Sequence, residues 1–403
     1  MTVQVDVPLH AKVLEKQLLT QPKEVIFCKR CVVSNQRPRI IIDEDGICSA
    51  CRFSHEKYHV IDWNQREREL ETMLEKYRRK NDTWDCIVSA SGGKDSAYVA
   101  HQLKHKYGMH PLTVTWAPFR YTDIGWKNYI NFVDSGFNNL LAFQNGKFHR
   151  KLARIAFEEL GDAWQPFTYG QVFYAMHIAL RLGIKLIFFG ENGEAEYGGS
   201  TKNNYRSHHA AEDWSLLYFK GCSADDLVDY GLKHKNYFRK EDFDPSDLTF
   251  YRPPDLNELT KAGIQIHWYS YYHRWIPQEN FYYATEHTAF IANPERSEGT
   301  YSKYASLDDR MDGFHFYLAF IKFGIARATS DAAHEVRDGH ITRQEAVALV
   351  HRYDGEFPSK YFKEFLEYLD ITEEHFWKVV DSFRPPHLWE KVNGQWKLKY
   401  RVS

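Results

Sequence analysis

The chain has 403 residues, 52 basic and 54 acidic side chains, a formal net charge of −2 and an aromatic content of 16%. That length holds two or three domains and a large core, and the even charge balance argues against a nucleic-acid partner. There is no apolar run of about 18 residues to span a membrane and no signal-peptide core around Asp6 and Lys12, so the expectation is a soluble, cytoplasmic protein without a membrane partner.

In chain order, residues 1–23 carry little pattern and read as a poorly ordered arm. Cys28, Cys31, Cys48 and Cys51 then form two C-x2-C knuckles separated by sixteen residues. Each knuckle can give two thiolates to one tetrahedral ion, which predicts a structural zinc ribbon over 24–58, closed to catalysis by its four ligands. Two disulfides are the alternative, disfavoured in a reducing compartment. Ile40-Ile41-Ile42 is expected as a strand and Asp43-Glu44-Asp45-Gly46 as the turn back to Cys48. Over 63–80, Trp63, Leu70, Met73, Leu74 and Tyr77 recur at helical spacing, which predicts an amphipathic helix leading into the core.

Strands are predicted over 84–90, 112–116, 140–143 and 184–189. Helices are predicted over 123–133 and in the patterns around Leu152 and Met176, the latter stopped by Gly183. Repeated β–α units imply an α/β fold, a doubly wound and mostly parallel sheet over 59–338, with ligands at the carboxyl ends of the strands.

Ser91-Gly92-Gly93-Lys94-Asp95-Ser96 sits between the first strand and a helix start. Glycines let the backbone come close to a ligand, amide groups and the positive helix end converge there, and the serines and Lys94 add donors suited to phosphate oxygens. It is not a Walker A loop, because Val88 and Asp95 occupy positions that need Gly and Ser or Thr. A serine-glycine turn without a ligand is the plain alternative. Gly190 to Gly199 follows a buried strand with three carboxylates, Glu191, Glu194 and Glu196. With Asn192 they are candidates for Mg²⁺ or sugar hydroxyls, against a simple solvated acidic turn.

Residues 201–248 read as an insertion or lid, 264–272 as another strand, and 296–304 as a polar loop for substrate or phosphate. Residues 339–403 read as a helical extension: Thr342-Arg343-Gln344-Glu345 is a capping box, Thr372 opens another helix, and Asn393-Gly394 centres a terminal hairpin.

The hexapeptide resembles the pyrophosphate loop of the PP-loop ATP pyrophosphatase superfamily. Further blocks at 145–151, 190–199, 296–309, 323–331 and 339–354, with the four cysteines, narrow the likeness. From about residue 24 to the hairpin the chain resembles the N-acetyl sugar amidotransferases of bacterial surface-polysaccharide biosynthesis, the WbpG and PseA-like group. The resemblance implies conversion of an acetamido group of an O-antigen or lipopolysaccharide sugar into an acetamidine, with ATP adenylylating the amide oxygen and ammonia expelling AMP. It assigns Ser91, Gly92, Gly93, Lys94 and Ser96 to pyrophosphate, Asp95 to Mg²⁺ or loop structure, and Lys94, Asp95 and Ser96 to catalysis. Lys303 and Arg327 are candidates for further phosphate contacts, or for ordinary ion pairs. The implied cofactors are ATP, Mg²⁺ and structural Zn²⁺. The implied nitrogen source is a separate glutaminase complex similar to imidazole glycerol phosphate synthase subunits, because Thr2, Cys86 and Cys222 supply no glutaminase nucleophile. A tRNA-thiolating enzyme would share the loop and the zinc cysteines but would use further reactive cysteines. A non-enzymatic zinc-ribbon protein would not need the intact loop.

Overall fold

A computed structural model of the chain describes residues 12, 14–79, 83–209, 211–234 and 237–403. Most of the expected N-terminal arm lies outside the described residues. Its later part packs down: Leu18 is buried, and Glu15 forms a buried ion pair with Lys322 at 2.7 Å.

Five parallel strands form the central sheet: β1 (Cys86–Ser89), β2 (Pro111–Trp116), β3 (Asn139–Ala142), β4 (Leu186–Phe189) and β5 (Gln265–Trp268), in the spatial order β3-β2-β1-β4-β5. Register runs Ile87↔Leu112 on one side of β1 and Ile87↔Ile187 on the other. Side chains alternate between the faces. Ile87, Leu112, Val114 and Ile187 enter one apolar cluster, while Cys86, Val88, Leu186 and Phe188 enter a second. Helices Gly146–Leu160 and Gln165–Leu182 cover the first face, where Gly170 lets the Trp116 indole lie against the helix backbone; a Cβ there would sit 2.0 Å from the ring. Helices Trp63–Tyr77, Lys94–His101 and Pro277–His287 supply the second. The expected doubly wound α/β fold is therefore present. Gly183 ends its helix at φ +64.

The order reverses direction between β1 and β4. In open parallel sheets ligands bind at that crevice, beyond the carboxyl ends of the strands. The glycine loop leaves β1 and the acidic loop leaves β4, so the topology places them on opposite sides of it.

Some expectations change. Ile40-Ile41-Ile42 is not a ladder strand: only Ile42 bridges, to Cys48, because the knuckle geometry turns the chain after one pair. The following turn forms as expected, with Gly46 at φ +79 and its N–H donating to the Asp43 carbonyl at 2.9 Å. The 201–248 segment contains the helix Ala224–Lys233 and is packed rather than lid-like. His208 bridges His267, and the Trp268 N–H donates to Ser207 O at 2.9 Å, covering the free edge of β5. β5 itself ends at Trp268, where a tight turn over Tyr269–Tyr271 takes over.

The C-terminal region is helical: Asp312–Phe323, Arg327–Asp338, Arg343–Tyr353, Phe362–Leu369 and Glu373–Ser382. The Thr342/Glu345 capping box and the Thr372 cap both form. The hairpin β6 (Trp389–Val392) and β7 (Gln395–Leu398) closes through Asn393 and Gly394, both at positive φ. Among the described residues no helix is long and apolar enough to cross a membrane.

Candidate active site

The glycine loop is held by its own side chains. Ser96 Oγ accepts from the Ser91 N–H at 3.3 Å and donates to the Gly93 carbonyl at 3.1 Å, while Ser91 Oγ accepts from the Gly93 N–H at 3.2 Å. Gly92 has φ +82, and a Cβ there would lie 2.6 Å from the Tyr129 Cα. Both backbone conformation and space require glycine. Gly93 then caps the Lys94–His101 helix.

Lys94 is largely buried, pairs with the adjacent Asp95 carboxylate, and lies 5.9 Å from the Tyr304 ring centre. The other Asp95 oxygen accepts from Asn280 Nδ2 at 2.9 Å. Across the crevice, burial and then the Asp95 charge push the Glu191 carboxyl up to about 7. The repulsion between these two carboxylates is a charge conflict that a divalent cation would relieve. Mg²⁺ suits one or two carboxylates combined with phosphate oxygens. Asp95 and Glu191 therefore fit as the pair that would hold it.

The rest of the acidic loop is engaged elsewhere. Asn192 caps a helical turn and donates to the Asn203 carbonyl at 3.1 Å. Glu194 takes a two-pronged pair from Arg39 at 2.6 and 3.0 Å and accepts the Ser200 N–H. Glu196 is buried with Lys57 at 3.0 Å and His334 at 3.3 Å, and both of those also pair with Asp338. Of the four residues expected to bind substrate or Mg²⁺, Glu191 is the one whose carboxyl is coupled to the glycine loop.

Arg327 opens its helix, paired with Asp331 at 3.0 Å, and shares its surroundings with Tyr197, Asp308 and Asp312. Lys303 is exposed and donates to the Pro294 carbonyl at 2.9 Å. The structure thus brings Lys94, Asp95, Glu191 and Arg327 toward one region and leaves Lys303 at its margin.

The four ribbon cysteines are fully buried and their sulfurs lie within 4.8 Å of one another. Cys28 and Cys51 sulfurs are 3.9 Å apart, Cys31 and Cys48 sulfurs 3.7 Å. A tetrahedral zinc with bonds of about 2.3 Å sets its thiolates about 3.8 Å apart. The donor set fits a structural zinc. The ribbon also grips the acidic loop: besides the Arg39–Glu194 and Lys57–Glu196 pairs, Arg37 Nε donates to Gly198 O at 2.6 Å and Ser49 Oγ to Gly199 O at 3.2 Å.

Asn280 and Lys57 carried no motif signal, because each meets the site only through tertiary contacts, whereas Tyr304 and Asp331 lie within the 296–304 loop and the 323–331 block without being singled out there.

The fold and site define an α/β protein with a glycine loop at the switch point of a parallel sheet and, beside it, a four-cysteine cluster that could hold a metal ion. Its residues 298–402 match the family model of the LPS biosynthesis protein WbpG-like, C-terminal domain. Among solved structures, one similar to it is the NH3-dependent NAD synthetase from Campylobacter jejuni in complex with the nitrate ion. The two share 12% identity, the match covers 50% of this chain and 95% of that one, and the TM-score is 0.27. Comparison with curated proteins returns no match.

Proposed function

We propose that the protein is an ATP-dependent amidotransferase that converts an acetamido group of a bacterial surface-polysaccharide sugar into an acetamidine. The observation that carries this reading is the pairing of the Ser91–Ser96 loop with Glu191 across the switch point, in a chain that also carries the WbpG-like domain.

An amide oxygen is a poor leaving group. In the proposed reaction it attacks the α-phosphorus of ATP, the bond to the bridging oxygen of pyrophosphate breaks, and pyrophosphate departs. Ammonia then adds to the activated carbon, the carbon–oxygen bond breaks, and AMP leaves with the former amide oxygen. Loss of a proton from the added nitrogen gives the amidine, which is protonated again at neutral pH.

The loop's part is electrostatic. Amide groups of Gly92 to Lys94, the Ser91 and Ser96 hydroxyls and the Lys94 ammonium would meet charge gathering on the departing pyrophosphate. Lys94 would exchange its Asp95 partner for phosphate oxygens. Mg²⁺ held by Asp95 and Glu191 would supply further charge neutralisation. Ammonia would come from a separate glutaminase complex.

The test is to incubate the full chain with ATP, Mg²⁺, ammonium and a panel of acetamido sugars, following sugar mass and nucleotide products. The expected result is one sugar converted to a cationic amidine, with AMP and pyrophosphate in equal amounts and turnover at least about a hundredfold lower in Ser96→Ala. ADP and phosphate as products would refute it.

A further inference from the structure

The two edges of the central sheet are finished differently. Along β5, residues 207–209 cover the strand: His208 bridges His267, the His209 N–H donates to the Ile266 carbonyl and the Trp268 N–H to the Ser207 carbonyl, each at 2.9 Å. β3 has no such cover. It pairs with β2 alone, and among the described residues no other backbone bonds to it. An open edge is a row of unpaired N–H and C=O groups that templates another strand, and chains that stay single blunt it with charge, proline or a covering segment. From Phe137 to Gln144 there is neither a charged residue nor a proline.

The surface around this edge is apolar. Leu140 is 38% exposed and Phe143, just beyond the strand, 68%. Beside it runs the helix Asp123–Asp134, whose Tyr129 hydroxyl donates to Asn139 Oδ1 at 2.9 Å and so turns that flank toward β3. The Trp126 ring stacks on Tyr129 at 5.4 Å and is 43% exposed, and Ile130, one turn further on, is 37% exposed. Four large apolar side chains around one open strand differ from the scattered single ones of an ordinary surface. Lys127 stands three residues before Ile130 and Asp134 four after it, on the same helix face. Both are exposed, and neither has an ion-pair partner among the described residues.

The occupant that fits is a second copy of this chain. With β5 covered, joining β3 head-to-tail to β5 of the next chain is closed off, which leaves the open edge to meet its own kind across a two-fold axis. A two-fold axis perpendicular to the sheet sets the two β3 strands antiparallel and keeps both Asp123–Asp134 helices on the same face. Those helices then run antiparallel side by side, and about Ile130 each Lys127 comes opposite the partner's Asp134. We infer that two copies associate through β3 into one continuous sheet, with Trp126, Ile130, Leu140 and Phe143 at the centre of the contact and a Lys127–Asp134 pair at either end. This association is independent of the reaction proposed above.

The mass of the full, reduced, zinc-loaded chain is measured by sedimentation and light scattering from about 1 to 50 μM, the range in which an interface of modest size is populated. At the upper end it should be twice the 47.6 kDa of one chain. Leu140→Lys with Phe143→Lys should raise the dissociation constant at least about a hundredfold, since lysines on an edge block its pairing. Leu256→Lys, at an exposed leucine on the helix Leu256–Ala262, should leave it within about twofold. Asp134→Lys and Lys127→Asp should each weaken association about three- to tenfold, and the two together should restore it to within about twofold, because only the swap re-forms both pairs. Unchanged circular dichroism shows that each variant folds. A parent that stays at the single-chain mass, one that grows into open polymers, a dimer that survives the two edge lysines or is lost in Leu256→Lys, or a charge swap that fails to recover would overturn the inference.

Discussion

At the residue scale the site turns on two carboxyls. Glu191 is raised from 4.5 to about 7, first by burial and then by Asp95. Between those values the folded chain keeps a proton that the unfolded chain has lost. Stability therefore falls as pH rises through that window and levels off above it. Glu191→Gln removes the titration. Its stability relative to the parent should rise between about pH 5 and pH 8, by at most about 3 kcal/mol, in urea unfolding without Mg²⁺ or nucleotide. Adding Mg²⁺ with ATP should narrow that gap, since the ion offsets the repulsion in the parent. Parallel stability curves for the two proteins would contradict the coupling.

At the scale of elements, the four-cysteine ribbon and the acidic loop are tied into one unit. Lys57, on the helix Ser49–His59 that also carries Cys51, reaches Glu196 and Asp338 while only 2% exposed. Removing one member of a buried ionic cluster strands the others. Lys57→Met should cost about 3–5 kcal/mol in urea unfolding with zinc content unchanged. Cys51→Ala should lose the zinc itself, and the chelator-treated parent should melt earlier and regain its transition when zinc is restored, because binding and folding are linked. A gently purified, reduced protein without zinc would contradict this account.

The same elements show what could be read from the chain. The cysteine knuckles and the Ser91–Ser96 loop are legible because the chemistry is contiguous: short spacings fix both the residue types and the turn. The acidic loop was legible in position but not in detail. Nothing local distinguishes Glu191, whose carboxyl feels the Asp95 charge, from Glu194 and Glu196, whose partners Arg39 and Lys57 come from the ribbon. Asn280 reaches Asp95 across 185 residues, a contact that no periodicity encodes. Within 201–248, residues 207–209 follow the edge of β5 instead of forming a regular face, while the helix Ala224–Lys233 is opened by a Ser223/Asp226 capping box that the sequence reading passed over.

For the whole molecule, the proposed chemistry needs nitrogen from outside. Cys86 and Cys222 are both buried. Burial, then Asp85, pushes the Cys86 thiol far above the ordinary range, and burial, then Asp226, pushes Cys222 up to about 12. Neither offers the accessible thiolate that a glutaminase uses. With glutamine as the sole nitrogen source the pure chain should form no glutamate and no amidine. With ammonium it should turn over, and faster as pH rises and more of the nitrogen is neutral ammonia. Glutamate formation by the pure chain would reveal a nitrogen-releasing site elsewhere in it.

The central claim is that ATP activates the amide oxygen, and an isotope tests it directly. An acetamido sugar labelled with oxygen-18 in the amide carbonyl is turned over with ATP, Mg²⁺ and ammonium, and the nucleotide product is weighed by mass spectrometry. The account predicts that the label moves to the phosphate of AMP, with unlabelled pyrophosphate released. Unlabelled AMP, or label in inorganic phosphate formed alongside ADP, would contradict it.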